Sequence, residues 1–265
     1  MNLKSNWTLD EILKIYHTPL FELIQNANKI HQENHTSGEV QICTLLSIKT
    51  GGCTEDCSYC SQAARYNTGL NTESLLSYDE VMKSANLAKN AGSTRFCMGA
   101  AWKEVRDNID FDKVLKMIEG VSELGLEVCG TLGMATEDQI SKMKEAGLHA
   151  YNHNVDTSEE FYSDIITTHT HDDRMKTLKN IRNAGVTICS GGIIGMGETE
   201  EDRIKMIHSL ATLEKHPESV PINALVSIEG TPLEKQKEVN TWDMIRMIST
   251  ARITMPKSMV RLSAG

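Results

Sequence analysis

With 265 residues, 40% of them hydrophobic, and a formal charge of −9 at pH 7, the chain is long enough to bury one large core or two small ones. That acidic balance, with no lysine or arginine block, speaks against nucleic acid or an anionic membrane surface as the main partner and for a small-molecule ligand. No apolar run approaches the roughly 20 residues that span a bilayer, and Met1 to Glu11 carries neither an apolar signal core nor an arginine-rich transit pattern, so a cytoplasmic location is expected.

The opening of the chain reads as helices. Thr8 caps a helix from Leu9 to His17 with Glu11 as its reciprocal partner. Pro19 starts a second helix through His31, whose apolar stripe is Leu20, Leu23, Ile24, Ala27 and Ile30. Val40 to Ile48 is a β-rich run that delivers the chain into a loop of Gly, Ser and Thr. From there a unit recurs: an amphipathic helix, an Ala-Gly or Leu-Gly stop, and a short strand. It appears as Tyr78 to Ala91 with Thr94 to Met98, as Phe111 to Leu124 with Leu126 to Leu132, as Glu137 to Ala146 with Leu148 to Asn152, and as Asp172 to Ala184 with Val186 to Ser190. Two looser units follow, Glu201 to Leu213 with Pro221 to Val226, and Trp242 to Thr254 with Ser258 to Leu262.

Helix–strand alternation with short connections means parallel strands, in a (β/α) barrel or an open doubly wound sheet. Seven strands, and no dinucleotide fingerprint after the first, favour an α/β fold of the (β/α) TIM-barrel type. No linker or low-complexity tract marks a second domain, so residues 1–265 are expected to form a single domain with an N-terminal helical extension at about 1–37.

Seven cysteines, an odd number in a chain without an export signal, favour metal binding over a disulfide framework. Three of them, Cys53, Cys57 and Cys60, lie at C-x3-C-x2-C spacing in the loop after the first strand. Thiolates suit iron–sulfur clusters or zinc. A structural zinc or a fully protein-ligated cubane takes four ligands, so three leave one metal position open to a small molecule.

Cys97, Cys129 and Cys189 fall on the second, third and fifth expected strands, and Arg261 on the seventh. Alternate residues of separate strands can meet inside a barrel, and Arg95, Thr131 and Thr187 share the faces of these cysteines. Taken singly, each strand cysteine, like Cys43 on the first strand, reads first as a small buried apolar side chain. After the fifth strand, Gly191, Gly192, Gly195 and Gly197 let a backbone approach a ligand closely, or simply make a turn. Asn152, Asn154 and Asp156 at the end of the fourth strand, and Asn223 on the sixth, suit a polar ligand at the C-terminal ends of the strands. Asp156 or Thr157 reads equally as a helix cap. His153 reads as a structural histidine, and the run His169 to Arg174 contains a helix start.

These residues resemble a known family. The three-cysteine loop, Gly52-Cys53-Thr54-Glu55-Asp56-Cys57-Ser58-Tyr59-Cys60, resembles the signature of radical S-adenosylmethionine enzymes. Arg65 to Leu70, Ala91 to Trp102, Tyr151 to Thr157, Cys189 to Ile193, Glu218 to Asn223 and Val260 to Gly265 resemble the biotin synthase family in particular. The resemblance implies that Cys53, Cys57 and Cys60 hold a [4Fe-4S] cluster whose open iron binds S-adenosylmethionine. It implies a second, [2Fe-2S] cluster on Cys97, Cys129, Cys189 and Arg261, an assignment composition would not have suggested, since arginine is ordinarily a poor metal ligand. Tyr59, Asn154, Asp156, Arg174, Gly191, Ile193, Gly195 and Glu198 would then contact S-adenosylmethionine, and Asn154 and Asn223 the substrate dethiobiotin.

The implied activity is radical insertion of sulfur into dethiobiotin, with a small electron-transfer protein as reductant and a homodimer as the assembly. The family continues past the Arg261 strand with a further helix and an eighth strand. A chain ending at Gly265 is therefore expected to lack the last helix–strand unit: either its open edge is met by a partner subunit or a further segment, or the chain is a truncated, unstable fragment, and activity is the expectation this bears on most. Two other readings stand beside this one. A different radical S-adenosylmethionine barrel enzyme, such as a hydrogenase-maturation or methylornithine-forming relative, needs the first cluster but not the strand cysteines with Arg261. A non-catalytic iron–sulfur or zinc module has the open ligand position against it.

Overall fold

The computed structural model describes residues 3–36 and 38–262, so Ser263 to Gly265 of the last matching stretch lie outside the described residues. The chain begins with α1 (Leu9–Tyr16) and α2 (Leu20–Asn34), then β1 (Cys43–Lys49), α3 (Tyr78–Asn90), β2 (Arg95–Ala100), α4 (Ile109–Glu123) and β3 (Glu127–Thr131). It continues with α5 (Glu137–Glu145), β4 (Leu148–Asn152), α6 (Glu159–Ile165), α7 (His171–Asn183), β5 (Thr187–Cys189) and β6 (Gly192–Ile194). It closes with α8 (Glu200–Ala211), β7 (Ser219–Ala224), α9 (Thr241–Thr254) and β8 (Met259–Arg261). The fold is α/β, a parallel strand–helix repeat of the TIM-barrel class. No helix among the described residues is long and apolar enough to cross a membrane.

Two compact units share the chain. One takes Val40–His153 and Asp172–Ile188; the other takes the residues up to Glu39, Asn154–His171 and those from Cys189 onward. In the unit of Val40–His153, β1, β2, β3 and β4 pair in sequence order, all parallel. Alternation along β2 decides its two faces. Phe96 and Met98 are buried at 0% and 1% exposure, while Cys97 between them points the other way and is half-buried. The helices cover the apolar face: α3 packs on β1, α4 on β3 and β4, and α5 on β4. Capping boxes start two of them, Ser77 with Glu80 on α3 and Thr136 with Gln139 on α5.

In the other unit the capping box expected at Thr8 and Glu11 starts α1. The two N-terminal helices dock on the last ones, α1 on α8 and α9, and α2 on α9. The Arg246 guanidinium donates to the carbonyls of Tyr16 and Thr18, which fixes the turn between α1 and α2. β6 and β8 both pair with β7 in parallel, and Cys189 of β5 lies opposite Ser219 of β7.

Two expectations are corrected here. The fifth strand does not run from Val186 to Ser190 and end in a glycine loop: it stops at Cys189, and Gly192 to Ile194 form a further strand, so the described residues form eight strands where seven were expected. The glycines serve packing between chain segments. A Cβ on Gly191 would lie 1.8 Å from the Pro221 carbonyl oxygen, and one on Gly192 would lie 2.1 Å from Met206 Sδ and 2.4 Å from the Asp156 carbonyl oxygen. The second correction is α6, a helix with no place in the expected order. Neither Asp156 nor Thr157 caps it; Ser158 does, accepting from the Phe161 amide at 3.1 Å and donating to Asp202 at 2.7 Å.

Gly191→Ala is expected to cost on the order of 3 kcal/mol or more, because the obstacle is backbone rather than a movable side chain. The denaturant midpoint of the cluster-free chain measures it, and a loss below about 1 kcal/mol would show that β7 gives way easily.

Acidification supplies a second test. Burial pushes the imidazole of His35 below its ordinary value, with the Arg252 guanidinium adding to the effect, and burial does the same to His216. Both are disfavoured as cations in the fold, so the unfolded chain binds the extra protons. Their contribution is fully present above about pH 6.5, the ordinary histidine value, and is lost as pH falls below it. The urea midpoint is expected to drop between about pH 7.5 and 5.5, and to drop less in the double variant His35→Gln, His216→Gln. An equal drop in both proteins assigns it to other groups.

Candidate functional site

β1 hands the chain to the cysteine loop through Gly51 and Gly52, whose φ angles of 68° and 71° belong to the left-handed region. Side chains are also barred by space: a Cβ would lie 2.9 Å from the Asn71 carbonyl oxygen at Gly51 and 2.8 Å from Thr72 Cγ2 at Gly52. The loop then doubles back on itself. The Cys53 amide donates to the Gln62 carbonyl at 2.9 Å, the Ala64 amide to the Cys53 carbonyl at 2.8 Å, and the Cys60 amide to the Cys57 carbonyl at 2.9 Å. The side-chain carbonyl of Gln62 accepts from the Gly51 amide, and Tyr66 Oη donates to the Asp56 carbonyl, each at 2.5 Å. Thus backbone and side-chain groups of the loop and its neighbours meet the loop's own polar groups and tie it down.

Cys53 and Cys57 are buried and Cys60 is half-buried. Burial pushes the Cys53 thiol above its ordinary value, an effect that a bound cation reverses by favouring the thiolate. Beside the loop lies a cleft lined by Lys49, Gly52, Thr54, Trp102, Lys103 and Arg106. Tyr59 is half-buried in the same loop, and Arg174, on α7 of the same unit, has its guanidinium 3.5 Å from His153 Nδ1.

The strand cysteines divide between the units. Cys97 and Cys129 are directly opposite each other on β2 and β3, so both thiols sit on one face of that sheet. Two residues toward the start of the strands, Arg95 faces Glu127 at 2.9 Å and Gln41 donates to the same carboxylate at 2.8 Å. Burial works to raise the Glu127 carboxyl, but the Arg95 guanidinium outweighs it and holds the group ionised. In the other unit Cys189 Sγ donates to Ser219 Oγ at 3.3 Å. Arg261 is opposite Pro221, two residues along β7 from Ser219, so Cys189 and Arg261 share a face with β7 between them.

Of the residues expected to contact S-adenosylmethionine, Asn154, Asp156, Gly191, Ile193, Gly195 and Glu198 belong to this same unit, as does Asn223, expected to contact the substrate. Asn154 Oδ1 accepts from the Gly191 amide at 3.2 Å. Asp156, 2% exposed, holds a left-handed φ of 65°, and its carbonyl accepts from the Ile193 amide at 2.8 Å. Ile193 in turn is opposite Asn223, which is 8% exposed. Glu198 has a different occupation. Its carboxylate accepts from the Gly195 and Met196 amides at 2.7 Å each and from Arg203 Nε at 2.7 Å, with the Glu198 side chain 1% exposed. It shapes the turn after β6 from within.

Two supporting residues escaped the sequence reading. Arg203 sits five residues after Glu198, a spacing that carries no signal until α8 folds it back. Ser219 carries none because serine on a strand is unremarkable.

Among the described residues no three or more His, Cys, Asp or Glu side chains already stand as a group gripping an ion. The fit to an iron–sulfur cluster therefore rests on the donor chemistry, three thiols on one backbone-tied loop, and that chemistry suits iron and sulfide.

Comparison with known proteins agrees with that chemistry. Residues 47–210 match the Radical SAM superfamily and residues 221–265 the Biotin and Thiamin Synthesis associated domain. Biotin synthase of Cytophaga hutchinsonii is 61% identical over 99% of this chain and 78% of its own length. The mitochondrial biotin synthase of Arabidopsis thaliana is 56% identical over 99% of this chain and 70% of its own length. Among solved structures, methylornithine synthase superposes with a TM-score of 0.83 at 20% identity, covering 96% of this chain and 74% of that one, a likeness of fold. The chain thus belongs to the biotin synthase family of radical S-adenosylmethionine enzymes, whose shared chemistry entails a [4Fe-4S] cluster and S-adenosylmethionine.

Proposed function

We propose that this chain inserts sulfur into dethiobiotin to form biotin, with residues 1–265 acting as one catalytic domain. The observation that carries the reading is 61% identity to a biotin synthase over nearly the whole chain, together with a loop that offers three thiols and leaves a fourth position to a ligand. When bound, the [4Fe-4S] cluster supplies the electron that cleaves S-adenosylmethionine, and a [2Fe-2S] cluster supplies the sulfur.

The chain's own residues do the holding. Cys53, Cys57 and Cys60 ligate the first cluster as thiolates, and Tyr59 lies beside S-adenosylmethionine. Asn154, Asp156, Arg174, Gly191, Ile193, Gly195 and Glu198 would form the nucleotide side: the Asp156 carboxylate suits ribose hydroxyls or an amino group, the Arg174 guanidinium a carboxylate, and Ile193 an apolar base. Glu198 acts indirectly, by fixing the Gly195 and Met196 amides. Asn154 and Asn223 bind dethiobiotin through its ureido group, for which amides are matched donors and acceptors. Cys97, Cys129, Cys189 and Arg261 would hold the second cluster. Once Cys189 is a thiolate, Ser219 Oγ–H turns round to donate to its sulfur. A small electron-transfer protein as reductant, a homodimer and a cytoplasmic location complete the proposal.

Anaerobically reconstituted protein given a one-electron reductant is expected to convert S-adenosylmethionine to 5′-deoxyadenosine and methionine, and mass spectrometry with dethiobiotin to find biotin. Intact clusters that release no 5′-deoxyadenosine would sink the enzyme reading; 5′-deoxyadenosine without biotin would point to a different radical enzyme. Cys97→Ala is expected to keep cleavage of S-adenosylmethionine while losing the absorption of the second cluster and at least about tenfold in biotin formation. Unchanged cluster content and product would remove Cys97 from the ligand set.

A further inference from the structure

The last strand of the described chain is poorly held by its own ladder. β8 is three residues long, Met259–Arg261, and among the described residues its register is set against Ser219, Val220 and Pro221 of β7. The partner of Arg261 is Pro221, which has no amide hydrogen to give. A slip of one residue would turn Arg261 to the opposite face of the sheet. Something other than the ladder has to fix where β8 begins.

That constraint sits just before the strand. Arg252, in the last turn of α9 and 8% exposed, donates through one guanidinium nitrogen to the Ser258 carbonyl at 2.6 Å and to the Pro256 carbonyl at 3.1 Å, and lies against His35 Nε2. His35, the C-cap of α2, also approaches the Pro256 carbonyl, at 2.9 Å. Ser258 is 1% exposed, and its hydroxyl donates to the Pro217 carbonyl at 2.6 Å. One residue later the Met259 amide donates to the Glu218 carbonyl at 2.8 Å, which is the first bond of the β7–β8 pairing. The turn from Met255 to Ser258 is thus gripped from α9, from α2 and from the segment that leads into β7.

We propose that Arg252 is a positioning residue for Arg261: by pinning the Pro256 and Ser258 carbonyls it sets the register of β8 and so the face on which Arg261 stands. The consequence for chemistry rests on Arg261 being a ligand of the second cluster, whereas the register claim stands on the contacts alone. A buried guanidinium is costly unless its donors are met in a fixed geometry, and here the acceptors it meets are those that define the turn. Lysine keeps the charge and three N–H donors but ends in a flexible ammonium of different reach, so it fixes the direction of these contacts less firmly.

The test uses the full chain in two states. In the cluster-free protein, hydrogen exchange of the Met259 amide is expected to speed up at least about tenfold in Arg252→Met and by less in Ser258→Ala, with Arg252→Lys between Arg252→Met and the parent. After reconstitution, Arg252→Met is expected to lose the absorption of the second cluster while still releasing 5′-deoxyadenosine from S-adenosylmethionine. Should Arg252→Met fail to fold, Arg252→Lys and Ser258→Ala carry both measurements. Parent-like exchange at Met259 together with a parent-like second cluster in these variants overturns the proposal. Arg261→Met separates the two levels: if it leaves the second cluster untouched, Arg261 is not a ligand, and the exchange data still decide whether Arg252 sets the register.

Discussion

The approach of two backbones at Gly191 is the constraint on which the ligand-facing part of the Cys189–Leu262 segment depends. Its carbonyl accepts from the Val155 and Asp156 amides at 3.0 and 3.2 Å, its amide donates to Asn154 Oδ1 at 3.2 Å, and its Cα presses against Pro221. Gly191, between the end of β5 and the start of β6, therefore locks the Asn154–Asp156 turn against that junction. Cys189 lies two positions before it and Ile193 two positions after, so a cluster-ligand candidate and a nucleotide-wall candidate take their places from one packed contact. The left-handed backbone of Asp156 follows from the same crowding. A non-glycine residue there costs of order 1–3 kcal/mol, and it persists because the Gly191 and Ile193 bonds on either side of it over-determine its conformation.

The cysteine loop of the other unit solves a different problem. Its backbone groups are met by the loop's own neighbours, Gln62, Ala64 and Tyr66, so it holds its shape before anything binds. Without a cation, burial keeps Cys53 protonated. Metal loading and deprotonation are then a single coupled event.

How much of this could be read from the sequence follows from the range of the forces involved. Helices with local signals, such as the capping box of Thr8 and Glu11, were legible to within a residue, because a capping box is a contact between residues three apart. The parallel strands were legible through their alternation, and opposite positions such as Cys97 and Cys129 follow once two strands are aligned. The glycine run was not legible. Its composition is the same whether a glycine faces a ligand or another backbone, and the close approach of Pro221, thirty residues on, is invisible until the chain folds. The contact between Glu198 and Arg203 was hidden for a similar reason, since Arg203 reaches Glu198 only after α8 forms. The ligand role of Arg261 entered through resemblance to a family, not through any property of arginine.

Three buried arginines show how the fold distributes electrostatic cost. Burial opposes the charge of Arg95, but Glu127 outweighs it and the guanidinium ends above its ordinary value. Arg203 gives the same result through Glu198 and Asp243. Arg252 differs: burial lowers it, and it meets carbonyls and an imidazole in place of a carboxylate. Neutral acceptors return less energy to a buried cation than a carboxylate does, so the Arg252 contacts are a weak source of stability for their burial. What they provide is direction. Two carbonyls of one turn are fixed relative to α9, and a three-residue strand that could slip is left with one place to start.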